Sequence, residues 1–253
     1  MSQTNRLLGL LRSIVVYHGI PRRQKRLRRL YTRFVRPGDL VFDVGAHVGN
    51  RVRAIKALGC HVIAIEPQPD CVRLLNVMFR DTDNVRVVES AVDNFTGKKS
   101  LSISELNPTM STLDQKWKEA RRQEQDFSTV QWNRTLEVST TSLDALIVKY
   151  GIPVFVKIDV EGAEPQVLEG LSTPLQVVSF EYIPNALEHV IDSVDRLNAL
   201  GNYEFNWSPG ETYRLANERW LGQDELLRTL KTTTAKNGSG DVYARLEKRN
   251  TIT

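Results

Sequence analysis

Cysteine, methionine and histidine are scarce in this chain of 253 residues, at two, three and four. Cys60 and Cys71 do not amount to a disulfide framework. One stands before a predicted strand and the other in a predicted helix, so both read as reduced structural thiols. The histidines show no spacing for a zinc site or a catalytic triad, and there is no serine nucleophile elbow, P-loop or internal repeat. No stretch approaches the roughly 20 apolar residues that cross a bilayer. The N-terminal run LLGLLRSIVVYHGI is short, is broken by Arg12 and lacks a small-residue cleavage site, which argues against a signal peptide. These absences lead us to expect a cytoplasmic protein with no required metal.

One sign of charge is locally missing as well. Residues 1–36 hold ten Lys/Arg and no Asp/Glu, leaving 24 basic against 30 acidic residues in the remainder. The formal charge of +4 therefore hides a basic arm on a mildly acidic body. In that arm Leu7, Leu8, Leu11, Ile14 and Val15 recur at helical spacing, as do Leu27, Leu30, Tyr31 and Phe34, with Pro21 opening the second helix. The turn RPGD at 36–39 separates this arm, 1–36, from a second unit at 37–253. Such an arm suits an anionic acceptor or peripheral contact with an anionic membrane. Nucleic acid is not expected, because few aromatics interleave the cations and the body is acidic.

From residue 40 the pattern alternates. Apolar, β-branched runs at 40–44, 61–65, 85–89, 154–158 and 176–180 read as buried strands, with helices near 49–58, 69–80, 164–170 and 192–200. That alternation predicts an α/β fold with a doubly wound, mostly parallel sheet. The later runs 203–207 and 241–246 suit an antiparallel pair around a short helix near 221–230. A strand pair at 98–103 and 135–140 brackets a polar insertion at about 104–132, long enough to suggest a lid. Leu113, Trp117 and Ala120 make part of it helical, with Ser111 or Thr112 as the cap.

The first strand runs straight into a glycine turn, LVFDVGAHVGN at 40–50. Dinucleotide-binding turns read G-x-G-x-x-G, and the middle glycine lets a pyrophosphate approach. Here Gly45 and Gly49 are separated by three residues, Ala46 and His47 among them, with no middle glycine. Asp43, two residues before Gly45, would repel a pyrophosphate and welcome a cation. Glu66 ends the second strand, where a carboxylate can accept hydrogen bonds from both ribose hydroxyls. A ligand with a ribose and a positive charge but no phosphate is implied, and S-adenosylmethionine meets that description. Asn50 and His47 at the helix start are candidate donors to its carboxylate, although His47 reads equally well as a solvated loop residue. Pro67 would shape the ribose pocket, and Ser90 and Ala91 would lie near the adenine.

DVGAHVGN, IEPQP and VKIDVEGAE together resemble the three strand-end motifs of the FkbM family of S-adenosylmethionine-dependent methyltransferases, over roughly residues 37–185. The resemblance implies a seven-stranded class I methyltransferase sheet with a reversed last strand. It also implies methylation of a hydroxyl on a sugar, polyketide or other natural product. His47 departs from the family, which commonly has asparagine there. In KIDVEGAE, Asp159 ends a central strand and faces the ligand crevice beside Glu161, with Glu181 closing the next strand. These three are the candidate catalytic carboxylates, and Asp159 is also a candidate cofactor contact. Three converging acids could hold a divalent cation, but we expect none to be required. Glu164 reads as an N-terminal helix stabiliser. The other readings are a non-catalytic S-adenosylmethionine-binding module and an NAD-dependent oxidoreductase.

Overall fold

Strands that are apolar on both sides belong in a sheet covered on both faces. The computed structural model, which describes residues 2–124 and 127–247, has that form. Positions 125–126 of the expected insertion and 248–253 of the expected second unit lie outside the described residues. The central strand β1 (Leu40–Val44) pairs in parallel with β2 (His61–Glu66), which pairs with β3 (Val85–Glu89). On its other side β1 pairs with β7 (Phe155–Ile158), followed by β8 (Val177–Tyr182). The chain thus winds outward twice from β1, and the reversal between β1 and β7 opens a crevice at the strand C-termini. Two further strands complete the sheet, β9 (Tyr203–Pro209) at its edge and β10 (Gly240–Leu246) between β8 and β9, antiparallel to both. This is the seven-stranded sheet with a reversed last strand that the motifs imply.

Alternate residues of each strand serve opposite layers. Phe42, Val44, Val156, Ile158, Val178 and Phe180 pack under α6 (Leu143–Tyr150), α7 (Glu164–Glu169), α8 (Leu187–Leu200) and α9 (Gln223–Asn237). Val41, Val62, Ala64, Phe155 and Val177 pack under α2 (Arg23–Tyr31), α3 (Asn50–Lys56) and α4 (Pro69–Phe79). Leu27, Leu30 and Tyr31 of α2 are buried in this second layer, each contributing roughly 1.5–3 kcal/mol. Arg23, itself buried, ties α2 to the following segments by an ion pair to Glu211 and a 2.9 Å hydrogen bond to the Tyr213 hydroxyl. Half of the basic arm is therefore built into the core. The other half, α1 (Ser2–His18), reaches the crevice through Tyr17.

A smaller sheet holds the insertion. In it β4 (Ala91–Val92) pairs with β6 (Arg134–Thr141), and β6 pairs antiparallel with β5 (Gly97–Ile103). Between β5 and β6 runs α5 (Gln115–Arg122). Its cap is Asp114, which accepts from the Trp117 amide at 2.9 Å, and not Ser111 or Thr112 as the spacing suggested. Both hydroxyls are engaged elsewhere, Ser111 with the Pro108 carbonyl and Thr112 with the Glu161 carbonyl.

Candidate active site

A cavity of about 280 Å³ opens at the C-terminal ends of β1, β2, β7 and β8. It is lined by Asp43, Gly45, Ala46, His47, Asn50, Glu66, Pro67, Ser90, Ala91, Asp159, Glu161 and Glu181. Of the residues expected there, Gly49 alone is absent. It caps α3 in a left-handed conformation with φ 75°, and a Cβ on it would meet the Leu75 side chain at 2.7 Å. Its role is turn geometry and packing, which corrects the expectation of a ligand contact.

The turn after β1 is held from two sides. The amides of Gly45 and Ala46 donate to the Ile65 carbonyl at 2.9 and 3.0 Å. Gly45 has φ 81°, and a Cβ there would stand 1.9 Å from the Asp159 carbonyl oxygen, so only glycine fits. Glu66 accepts the His47 amide on one oxygen and the Gln68 amide on the other, both at 2.8 Å. Each oxygen keeps a second lone pair for a ligand hydroxyl. Burial pushes the Glu66 carboxyl up to about 7, against the pull of those two amides. The His47 ring lies edge-on to Tyr17 at 5.5 Å, and burial lowers its pKa to about 4, so it is neutral. The Ser90 hydroxyl is spent on the Ala91 and Ser139 carbonyls.

Asp43 is the anomaly. It is 1% exposed, and neither carboxylate oxygen has a hydrogen-bond partner of normal geometry. Burial pushes its pKa up to about 6, while Arg51, Lys157 and the loosely aligned Val52 amide pull it down and Asp159 adds to the rise. A buried anion without partners is costly unless a ligand completes its shell. The donor set thus fits a ligand that brings positive charge and hydroxyls, as S-adenosylmethionine does.

Beside it lies a charge quartet. Lys157, opposite Asp43 in the β1–β7 pair, is fully buried and stands 3.1 Å from both Asp159 and Asp241. Arg51 reaches Asp241 at 3.4 Å, Asp159 at 3.8 Å and the Tyr31 hydroxyl at 3.1 Å. Carboxylate oxygens of Asp159, Glu161 and Glu181 lie within 4.8 Å of one another. Burial first, and then repulsion from the neighbouring carboxylates, raises Glu161 and Glu181 well above the usual range. Glu161 is also held at φ 56°, a strained backbone for a non-glycine residue. Glu164 instead accepts the Val160 and Gly162 amides at 3.0 Å, tying the turn that presents the other acids.

The insertion covers one side, contributing Pro108, Met110 and Ser111 to the lining. It is anchored by Trp117, which packs against Trp132 at 6.2 Å, and by the Trp132 indole N–H, which donates to the Met110 carbonyl at 2.7 Å. Among the lining residues that sequence reasoning missed are Tyr17, Arg51, Gln68 and Asp241. Two of them carried a signal, Gln68 inside the IEPQP motif and Asp241 as an acid beside the apolar run VYA of its strand.

The family model described as the methyltransferase FkbM domain matches residues 43–202. Among solved structures, a precorrin-6y C5,15-methyltransferase from Geobacter metallireducens is 12% identical, with 89% of this chain and 87% of that one covered at a TM-score of 0.46. Fibrillarin from Aeropyrum pernix, in complex with natively bound S-adenosyl-L-methionine, is 11% identical, with 83% and 68% covered at 0.44. No curated protein matches the sequence. The family match takes in well over half of the chain and runs from Asp43 through the acidic turn at 159–164 to the end of α8, so the protein belongs to the FkbM-domain family of S-adenosylmethionine-dependent methyltransferases.

Proposed function

We propose that this methyltransferase modifies a hydroxyl on a sugar, glycan or other natural-product acceptor. The observation that carries the reading is the convergence of Asp159, Glu161 and Glu181 beside the proposed cofactor pocket. Asp43 and Glu66 would hold the cofactor's charge and ribose, with the 45–47 turn and Asn50 along its amino-acid end and Ser90–Ala91 by the adenine. Bound there, S-adenosylmethionine supplies a methyl group already attached to a good leaving group. The protein's remaining tasks are to aim an acceptor oxygen and to take its proton. A carboxylate whose pKa is raised by burial and neighbouring acids is the stronger base, which favours Glu161 or Glu181 for that role. Asp159, clasped by Lys157 and Arg51, positions the acceptor.

The experiment measures Glu161→Gln and Glu181→Gln for cofactor affinity and turnover separately. Turnover should fall about 10²–10⁴-fold in the variant that loses the base, with affinity within about threefold. Loss of affinity with turnover preserved at saturation would reassign both residues to binding. Mass analysis of extracts incubated with labelled methyl donor identifies the acceptor, and a methylated nitrogen or carbon would refute the hydroxyl assignment.

A further inference from the structure

Helix α1 has two unlike faces. Inward, Arg6 clasps Asp70 with bonds of 2.6 and 2.7 Å, Gly9 abuts the Glu105 carbonyl, and Tyr17 lines the cavity. Outward, Leu7, Leu8, Leu11, Val15 and Val16 are 43–68% exposed. Six of the twelve large hydrophobic residues exposed among the described residues fall between Leu7 and Ile20. Scattered apolar residues on a surface need no explanation, but a stripe along one helix face marks a docking surface.

Charge decides the occupant. The next helix exposes Lys25, Arg26, Arg28 and Arg29, and among the described residues none of them has a carboxylate partner. A second copy docking through the same face would bring two basic arms together, since residues 1–36 contain no acid to offset them. An anionic lipid surface matches the chemistry of both features, since its acyl boundary accepts the leucines and its headgroups attract the cations. No described helix is long and apolar enough to cross a membrane, so the contact considered is one with the surface of a bilayer.

We propose that α1 seats the enzyme on an anionic lipid bilayer, with Leu7, Leu8, Leu11 and Val15 in the headgroup–acyl boundary and the α2 cations over the headgroups. The helix that touches the bilayer then also carries Tyr17 into the cavity, so membrane contact and the site share one element. This inference stands whatever the acceptor is.

The test is sedimentation of the full-length protein with vesicles of phosphatidylcholine containing about one third phosphatidylserine, and with phosphatidylcholine alone. Partitioning onto the anionic vesicles should exceed the neutral case about tenfold and weaken with salt. Leu7→Ser/Leu11→Ser and, separately, Arg28→Gln/Arg29→Gln should each lower it about tenfold, equivalent to about 1.4 kcal/mol, with unchanged melting temperature. No sedimentation with anionic vesicles, or partitioning that the leucine variant leaves intact, would overturn the proposal. So would a vesicle-free dimer that the same leucine variant abolishes, since the stripe would then belong to a second copy.

Discussion

Replacing Asp43 by asparagine isolates the most unusual group in the molecule. The carboxyl is 1% exposed, lacks hydrogen-bond partners of normal geometry, and has its pKa pushed from 3.8 to about 6. A group whose folded pKa is raised binds its proton more tightly in the folded state, so stability is lost as pH rises through that window. At about pH 8 the ionised carboxylate costs the ligand-free protein on the order of 3 kcal/mol, and at about pH 5 roughly half of that. The amide that replaces it cannot ionise, but it also lacks partners, an offset of about 1 kcal/mol. The Asp43→Asn variant should therefore be more stable than the native protein by about 2 kcal/mol at pH near 8, raising Tm by about 4–8 °C, with the gain shrinking toward about pH 5. Its affinity for S-adenosylmethionine should fall about 10–100-fold, because a charged hydrogen bond worth roughly 1.5–3 kcal/mol is lost. Thermal melts at both pH values and calorimetric titration read the two effects. A variant that melts lower than the native protein at the higher pH, and binds the cofactor as well, would refute the reading of Asp43 as a ligand-directed anion.

The charge quartet gives a prediction of opposite sign. Lys157→Met removes the buried cation between Asp159 and Asp241 and leaves Arg51 to offset both, so unfolding in denaturant should show a loss of about 3–5 kcal/mol. A loss below about 1 kcal/mol would mean the quartet is not a structural unit. Because Lys157 and Arg51 already neutralise Asp159, turnover should survive exhaustive treatment with a chelator, assayed without added metal. A loss restored by magnesium would instead assign the three carboxylates to a cation.

The sheet was legible because buried parallel strands are written as continuous apolar runs, and LVFDV, HVIAI and VFVKI leave little choice. The glycine turn was legible because its residues are contiguous and its chemistry is backbone geometry. Helix α6 escaped notice because SLDALIVKY is short and β-branched at its end. What makes it helical is tertiary burial of Leu143 and Leu146, together with the Ser142 cap on the Ala145 amide. Arg51, Asp241 and Tyr17 lie far apart in the chain and meet only because β10 inserts beside β8 and α1 reaches the crevice through Tyr17. Gly49 misled for a related reason. A glycine in a ligand turn and one packed under Leu75 look alike until the neighbouring helix is in place.

Everything turns on what the crevice between β1 and β7 receives. A crystal structure of the protein with S-adenosylhomocysteine should show its ribose hydroxyls on Glu66 and its amino-acid end beside Asp43 and the 45–47 turn. Density for the ligand elsewhere, or none within reach of these two carboxylates at saturating concentration, would contradict the assignment of this cavity as the methyl-donor site.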